Sequence, residues 1–591
     1  MGVRAIRLFV VFALSSILSG ATAEAVRLPW GPVALLGQDA AIALAFAALE
    51  WVLRRWPRVA GAAYAATSVY AAVNVPVARL LSTPLSWPML RAARGTLGDS
   101  IAHHVTLPNA VLVAVVIATA ALLPRFIRRV PRPAAAMLLV LGAGLALLGP
   151  AASRRVDVGP GGQNALFTLA ATALPRVPSR EGARSGEIRG DWRESTFVEA
   201  PPKPGEDLRR LRGEARGRSV VLVLLESTGA QYLRSYGAPE DPMPAVTELS
   251  RDAIQFENAF CVYPESIQGL FSVIASTVPA IDTAAEVHGR LPVLSMAEVL
   301  ARRGYRTGLF HSGRFAYLGM DAVVSAKGFE ALEDAGDIGG EHDSSFGIDE
   351  PSTVRRILRW IDSFESGEPF FVTYLPVAGH HPYEVPGGGP FSDREEIGRY
   401  KNALHYADRS LAALIDGLRT RGLLEHCLLV LAGDHGEAFE QHDGNYGHTF
   451  QIYEENVHVP LLLVAPGLRL GPIRVERAAS LLDISPTICD LLGADAPAEW
   501  QGSSLLDPAP KMAYFFTDYS RALLGLRDGR WKAIHDMTSG RTRLFDLVAD
   551  PGESVDLAPR EPERTETYRR RLLAACAEQR AFVHDRAAPR S

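Results

Sequence analysis

The chain has 591 residues, of which 48% are hydrophobic and 21% are charged. This composition excludes a disordered chain, and the charged fraction is too high for a protein made only of membrane helices. Residues 1–155 contain 15 Arg, no Lys and four acidic residues, a net charge of +11, so the total of −5 leaves −16 for residues 156–591. Because a large acidic part repels a phosphate backbone, the charge disfavours a nucleic-acid-binding protein.

Five apolar segments occupy the first 150 residues. They lie near 5–23, 33–53, 59–82, 107–124 and 133–150. Each is about 18 to 24 residues long, which is enough for a helix to cross the hydrocarbon core of a bilayer. We therefore predict an integral membrane protein with a domain of about five transmembrane helices over residues 1–152.

Arginine is concentrated in alternate connections between these segments, at 4–7, 54–58 and 125–132. Connections rich in Arg stay in the cytoplasm, so an odd number of spans places everything after about residue 152 outside the cytoplasm. We predict a multi-pass protein of the inner cell membrane with an outward-facing C-terminal domain. Ala21-Thr22-Ala23 also fits a signal-peptidase site, and cleavage there leaves four spans and the same outer domain.

Few polar side chains lie within the predicted spans. Asp39 and Glu50 fall in or at the end of the second span. A structural role is favoured for both, because Glu50 ends a helix and Asp39 has no basic partner nearby in the sequence. His103 and His104, in the outer loop before the fourth span, face either a lipid headgroup or solvent.

The chain changes character after the last span. Residues 153–217 are rich in Arg, Gly, Pro and Glu, which predicts a juxtamembrane linker with one amphipathic stretch near 163–173. Short apolar runs typical of buried strands then follow, at 219–227, 306–311, 369–375, 427–432 and 459–464. Helical patterns lie among them, at 294–303, 351–364, 400–420 and 483–492. Such alternation predicts an α/β sandwich with helices on both faces, which we assign to a catalytic domain over residues 218–580.

The last part of this domain has a different pattern. After about Lys511, the short runs MAYFFTD, LLGLRDG, RWKAIHD and RTRLFDL follow one another without a long helix. We expect them to form a small antiparallel sheet that completes the same domain.

Polar side chains follow several of the predicted strands. Glu226 ends the first strand, His380 follows the third, Asp434 and His435 follow the fourth, and His448 lies soon afterwards. Ligands of open α/β sheets bind at the carboxyl ends of the strands, so we expect these side chains to meet at one edge. Acids combined with imidazoles predict a divalent-metal site, with zinc or manganese favoured and magnesium or calcium as alternatives.

The segment after the first strand contains a candidate nucleophile. Ser266 begins a helical pattern there, and a helix N-terminus favours the binding of an anionic ester. By residue type alone, a plain N-cap is an equally good interpretation of Ser266. Ser227 and Thr228, next to Glu226, are the fallback nucleophiles.

Ten ordered segments resemble the sulfatase branch of the alkaline-phosphatase superfamily. In chain order they read VLVLLES, FENAF, GYRTGLFHSG, FGIDE, AGHHPYEVP, YKNALHYADRSLAALIDGL, LAGDHGEAFEQHDGNYGHT, NVHVPLLLVAPG, LLDISPTICDLLG and LFDLVADPGE. They cover about residues 219–557. Five spans followed by an outer domain are also similar to the lipoteichoic acid synthases and the lipid A phosphoethanolamine transferases, which transfer a phospholipid headgroup.

The resemblance implies roles for individual residues. The family's metal-site positions are occupied here by Glu226, Ser266, Asp434 and His435. Ser266 stands where the synthases and transferases carry a threonine nucleophile. His380 and His448 fall on their phosphate- and substrate-binding histidines, and His458 is a weaker match.

One departure from the family pattern separates two kinds of chemistry. True sulfatases oxidise the first residue of a C/S-x-P-x-R motif to formylglycine, whereas Ser266 is followed by Ile-Gln-Gly-Leu, with neither the Pro nor the Arg. Cys261 does not supply the motif either, because its spacing to Pro264 is wrong. An unmodified Ser266 nucleophile favours phosphoester or phosphodiester chemistry.

The sequence thus predicts a membrane-bound, metal-dependent phosphoester or phosphodiester hydrolase, or a phospho-headgroup transferase, on the outer face of the membrane. Its substrate partner is a membrane lipid or an envelope glycan or lipid. One alternative is a sulfuric ester hydrolase acting on sulfated glycans or lipids. The other is a non-catalytic relative that binds an envelope polymer, which predicts lost site residues.

Overall fold

The computed structural model describes residues 2–20, 26–92, 104–174, 192–195, 197, 205–342, 346–365 and 367–587. Ala21-Thr22-Ala23 and His103 lie outside the described residues. The predictions made for them therefore stay predictions.

Each predicted span coincides with a helix. The N-terminal helices are α1 (Val3–Leu18), α2 (Gly31–Val52), α3 (Pro57–Leu81), the short α4 (Trp87–Ala92), α5 (Leu107–Phe126) and α6 (Arg132–Ser153). Among the described residues, three helical stretches are long and apolar enough to cross a membrane, namely Gly31–Arg55, Leu107–Phe126 and Arg132–Ser153. The helices α2 and α6 approach closely at two glycines, since a Cβ on Gly37 would lie 2.7 Å from the Cα of Gly149. Small residues at such a crossing are typical of packed membrane helices.

The two acidic residues of this bundle have structural partners. Asp39 accepts hydrogen bonds from Ser16 (2.8 Å) and from Asn164 (2.7 Å), and Glu50 pairs with Arg4 at 3.2 Å. Asn164 caps α7 (Ala165–Thr172), which is the amphipathic stretch predicted in the linker. Asp39 therefore ties the connecting segment to the membrane bundle.

The large domain is built on a nine-stranded sheet and two smaller ones. Its strands are β1 (Ser219–Leu225), β2 (Ile254–Phe260), β3 (Arg306–His311), β4 (Ala331–Glu333), β5 (Phe370–Leu375), β6 (Cys427–Gly433), β7 (Ala438–Phe439), β8 (Tyr446–Gly447), β9 (His458–Val459), β10 (Leu461–Val464), β11 (Ile473–Ser480), β12 (Ala513–Thr517), β13 (Leu523–Asp528), β14 (Trp531–Asp536) and β15 (Arg541–Asp546). The main sheet has the order β11-β2-β10-β6-β1-β5-β3-β4, with β9 paired to β2. The strands β12 to β15 form the predicted antiparallel sheet, and β7 pairs with β8.

Helices cover both faces of the main sheet. They are α8 (Pro244–Leu249), α9 (Ser266–Ala275), α10 (Ala285–Gly289), α11 (Met296–Ala301), α12 (Met320–Val324), α13 (Ala335–Ile338), α14 (Glu350–Ile361), α15 (Glu396–Thr420), α16 (Glu454–Val457) and α17 (Ile484–Leu492). Alternate residues of β1 enter different apolar clusters, Leu222 on one face and Val223 on the other. This burial on both faces explains why β1 is an unbroken apolar run. The α/β fold class is confirmed.

The main sheet is mixed, because β10 runs antiparallel to both β2 and β6. The structure also contains elements that the sequence analysis missed. The strands β2 and β11 were not predicted; both carry polar residues between their apolar ones. A long helix, α18 (Pro562–Ala587), follows the last strand where no long helix was expected, and its Tyr568 and Leu572 pack on the small antiparallel sheet.

The predicted linker is packed on the domain in part. Leu208, Leu211 and Ala215 belong to the same apolar cluster as β1. Further upstream, the Arg193 guanidinium binds both carboxylate oxygens of Asp483, at 2.7 and 2.8 Å, with both side chains buried.

Candidate active site

The site forms where two neighbouring parallel strands end together. Leu225 of β1 is paired with Gly433 of β6, so Glu226 and Asp434 are the first residues beyond the paired strands. The Asp434 carboxylate accepts the backbone N–H groups of Ser227 (2.9 Å) and His435 (2.7 Å), which fixes its orientation. The sheet register therefore places the two acids side by side.

Four of the predicted site residues are in direct contact. The Ser266 hydroxyl donates to Glu226 Oε2 at 2.9 Å and lies 3.2 Å from His435 Nε2. The same nitrogen is 3.6 Å from Glu226 Oε1 and 3.5 Å from Asp434 Oδ2. Since His435 Nδ1 donates to the Gly436 carbonyl at 2.9 Å, Nε2 carries the lone pair that faces the two acids.

This arrangement fits a divalent cation. One ligand atom each from Glu226, Asp434 and His435 lie within 4.8 Å of one another, and all three side chains are buried. Burial, and then the adjacent Asp434 carboxylate, raise the pKa of Glu226 well above its ordinary value, while burial lowers the pKa of His435. Two buried carboxylates this close repel each other when both are ionised, and a bound cation would relieve that repulsion and favour the ionised forms.

The structure separates the two interpretations of Ser266. Glu265 is the N-cap of α9, since its carboxylate accepts the N–H groups of Ile267 (3.1 Å) and Gln268 (3.2 Å). The N-cap interpretation of Ser266 is therefore wrong, and the first N–H groups of this helix are already bonded to Glu265. Ser266 instead lines a small cavity together with Glu226 and Asp434.

The fallback nucleophiles are less accessible. Ser227 donates to Glu226 Oε1 at 3.1 Å, and Thr228 donates to the Glu226 carbonyl at 3.1 Å. Both side chains are fully buried, whereas Ser266 is partly exposed.

His448 packs against His435, one of the three candidate metal ligands. Its ring stacks on His435 with centroids 4.0 Å apart, and its Nδ1 binds Glu437 Oε2 at 2.7 Å. The other Glu437 oxygen accepts the Tyr383 hydroxyl at 2.7 Å. Burial alone would lower the pKa of His448, but the Glu437 carboxylate more than offsets it, and the pKa lies above its ordinary value.

His380 occupies a more apolar position. Its ring contacts Phe346, with centroids 4.1 Å apart, and its Nδ1 donates to the His381 carbonyl at 2.7 Å. Burial lowers the pKa of His380 to about 4, so the ring is neutral, and the nearby charge of His448 acts in the same direction. The loop that leads to His380 is held by Glu350, whose carboxylate accepts hydrogen bonds from the N–H groups of Val377 (2.8 Å) and Ala378 (3.0 Å).

Two supporting carboxylates, Glu350 and Glu437, were missed from the sequence. Both fall within segments that carry the family resemblance, FGIDE and LAGDHGEAF, but neither follows a predicted strand directly. By contrast, His458 lies apart from the cluster, stacked on Phe260 and donating to the Glu257 carbonyl at 2.7 Å. Cys261 is a buried free thiol.

Acids and imidazoles thus meet at the ends of β1 and β6 in a mixed α/β sheet. Residues 218–494 match the family model described as Sulfatase. These residues form a Sulfatase-family domain, which covers somewhat less than half of the chain.

Curated relatives include both sulfatases and synthases. Arylsulfatase K of Bos taurus is 30% identical over 223 residues, which are 33% of this chain and 40% of the relative. The lipoteichoic acid synthase-like YvgJ of Bacillus subtilis is 24% identical over 322 residues, half of each chain. The chain thus spans half or less of the length of these relatives, which are enzymes by name.

Solved structures share the fold. The lipoteichoic acid synthase LtaP of Listeria monocytogenes has a TM-score of 0.51 at 18% identity, covering 69% of this chain and 99% of its own. An alkaline-phosphatase-superfamily protein of Vibrio parahaemolyticus has a TM-score of 0.53 at 18% identity, covering 70% of this chain and 97% of its own.

Proposed function

We propose that the protein is a metal-dependent phosphodiesterase or phospho-headgroup transferase that acts on a membrane lipid at the outer face of the cell membrane, with Ser266 as nucleophile. The observation that carries the proposal is the Ser266 hydroxyl, which lies in contact with Glu226 and His435 at the edge of a cavity. A serine held in this way between metal-ligand residues is suited to nucleophilic attack.

A divalent cation would be held by Glu226, Asp434 and His435 together with the Ser266 oxygen. When bound, such a cation lowers the proton affinity of a coordinated hydroxyl and polarises a phosphoryl oxygen. Zinc and manganese suit this mixed carboxylate and imidazole set, with magnesium and calcium as alternatives.

The chain's own residues then account for the chemistry. The Ser266 oxygen forms a bond to phosphorus, its proton leaves along the hydrogen bond to Glu226, and the bond from phosphorus to the leaving oxygen breaks. His448 carries a proton that the leaving oxygen takes, because Glu437 stabilises the charged ring. The neutral His380 keeps its N–H on the His381 carbonyl, so its Nε2 accepts a hydrogen bond from a substrate hydroxyl and cannot donate one to a phosphoryl oxygen. Water, or the hydroxyl of an acceptor, then attacks phosphorus and gives its proton to His448, while the bond from phosphorus to the Ser266 oxygen breaks and that oxygen takes back the proton from Glu226.

Sulfate ester hydrolysis is the second candidate, and the similarity to Arylsulfatase K favours it. We rank it lower because Ser266-Ile267-Gln268-Gly269-Leu270 lacks the Pro and Arg of the formylglycine motif. An unmodified serine is the nucleophile of choice for phosphoester rather than sulfate ester cleavage in this fold.

Activity of the full-length protein in detergent tests the proposal. We expect metal-dependent turnover of bis-p-nitrophenyl phosphate that a chelator abolishes and zinc or manganese restores, with little turnover of p-nitrophenyl sulfate. Ser266→Ala should remove this turnover. Ser272→Ala on the same helix, where the hydroxyl donates to the Gln268 carbonyl, should retain it. Preferred turnover of the sulfate would overturn the choice of phosphoester chemistry, and chelator-resistant turnover would overturn the metal.

A further inference from the structure

We propose that His104, in the loop before α5, is a specificity-determining residue that contacts the polar headgroup of a membrane phospholipid on its way to Ser266. The proposal rests on the proposed function and names the part of the chain that recognises a lipid-embedded substrate. His104 lies at the surface where the membrane part meets the catalytic domain.

Polar contacts join the two parts of the chain beside the site. The Ser86 hydroxyl donates to the Tyr519 carbonyl at 2.7 Å, and the hydroxyls of Thr83 and Ser520 share a hydrogen bond. Gly444 has a φ of +71°, which favours glycine, and a Cβ there would lie 2.0 Å from the Ser82 Oγ, so the two parts of the chain approach closely at this point. The membrane part therefore contacts the catalytic domain at two segments. One is Gly444, just before β8, and the other is Tyr519 and Ser520, just after β12.

His104 adds a further contact between the two parts, with residues that are close in sequence to His380 and His448. Its ring stacks on His381, with centroids 5.7 Å apart and an interplanar angle of 14°, and meets Tyr446 edge-on at 5.8 Å. His381 directly follows His380, and Tyr446 lies two residues before His448. The ring contributed by the membrane part therefore contacts the two segments that carry His380 and His448.

The residues around His104 have the chemistry of a headgroup site. The Tyr446 hydroxyl donates to Glu396 at 2.5 Å, and His381 Nε2 lies 3.4 Å from the same carboxylate oxygen. Imidazoles and phenols present flat apolar faces together with donors for phosphoryl and hydroxyl oxygens. His104, His381, Glu396 and Tyr446 together therefore offer a headgroup both flat apolar faces and polar atoms.

The position of His104 along the chain points to a lipid rather than a soluble substrate. The apolar helix α5 begins at Leu107, which is 78% exposed, and most of that helix faces outward. His104 therefore lies where a helix suited to lipid contact begins, at the level of headgroups. A headgroup at this level is next to both the membrane surface and the catalytic histidines.

The test compares lipid and soluble substrates on the full-length protein. Wild type, His104→Ala and His104→Phe are reconstituted in vesicles of phosphatidylethanolamine and phosphatidylglycerol, and diacylglycerol release is measured against lipid mole fraction. The same samples in detergent are assayed with bis-p-nitrophenyl phosphate. Val105→Ala is the matched control, because Val105 is 77% exposed in the same loop.

We expect both His104 variants to raise the KM for lipid about tenfold, the loss of one hydrogen bond to a charged group, with kcat on the soluble diester within about twofold of wild type. Val105→Ala should match wild type on both substrates. Restoration of lipid turnover by His104→Phe would show that ring packing alone matters and would overturn the proposal. Equal losses on both substrates, or no loss on lipid, would also overturn it. Absence of diester turnover in wild type would instead contradict the proposed function itself.

Discussion

Glu350 is predicted to make folding stability depend on pH near neutrality. Its carboxylate is buried at the start of α14, where it accepts hydrogen bonds from Ser312 (2.9 Å), Tyr374 (2.5 Å) and the loop that leads to His380. Burial raises the pKa of Glu350 from 4.5 to about 7, although these hydrogen bonds act in the opposite direction. The folded protein therefore holds a proton that the unfolded chain releases at lower pH.

The sign of the effect follows from linkage. Between pH 4.5 and 7 the folded state binds more protons than the unfolded state, so the free energy of unfolding falls as the pH rises. The stabilisation is fully present below pH 4.5 and is lost as the pH rises through 7. Over the interval from pH 5 to 8 the loss is about 2.5 kcal/mol.

The substitution Glu350→Gln removes the contribution of Glu350 to the pH dependence of stability, because glutamine stays neutral and keeps a carbonyl acceptor. We expect the difference in unfolding free energy between variant and wild type to change by about 2.5 kcal/mol from pH 5 to 8, in favour of the variant at high pH. Urea unfolding followed by tryptophan fluorescence measures it. The control Glu341→Gln, at a side chain 75% exposed, should leave the wild-type dependence intact. Parallel pH profiles for wild type and Glu350→Gln would refute the reasoning.

Two further predictions concern a supporting carboxylate and a buried ion pair. Glu437→Gln removes the charge that orients His448, so kcat on the diester should fall about 10- to 100-fold while the unfolding midpoint moves little, and an unchanged kcat would exclude this role. Arg193→Met leaves the Asp483 carboxylate buried and unpaired, which should cost about 3 to 5 kcal/mol in urea unfolding. The exposed pair Arg251–Glu248 supplies the control, since Arg251→Met should leave the unfolding curve unchanged, and equal losses from both variants would contradict the argument.

The sequence predicts the centre of the site well because strand ends are visible in it. Glu226 and Asp434 each follow an unbroken apolar run, and parallel neighbours bring such ends together. The direction of β10 was not predictable, since a buried strand has the same pattern whether it runs parallel or antiparallel. The burial of Glu350 and Glu437 also depends on residues distant in the chain, and a carboxylate in a loop carries no local sign of it.

The role of Ser266 also could not be predicted from residue type alone. Glu265 and Ser266 are adjacent, and by residue type serine is the better N-cap. Only the backbone geometry shows that Glu265 caps α9, which leaves the Ser266 hydroxyl to Glu226 and His435. The long helix α18 was missed because charged and small residues interrupt its apolar ones, so that its buried face gives little apolar periodicity.

The central claim is that Ser266 carries the covalent phosphoryl group, and peptide mass spectrometry on enzyme quenched during turnover of bis-p-nitrophenyl phosphate tests it directly. We predict the added mass of the phosphoryl ester on the peptide that contains Ser266 and its absence in Ser266→Ala. An adduct on the peptide with Ser227 and Thr228, or full turnover by Ser266→Ala, would contradict the account.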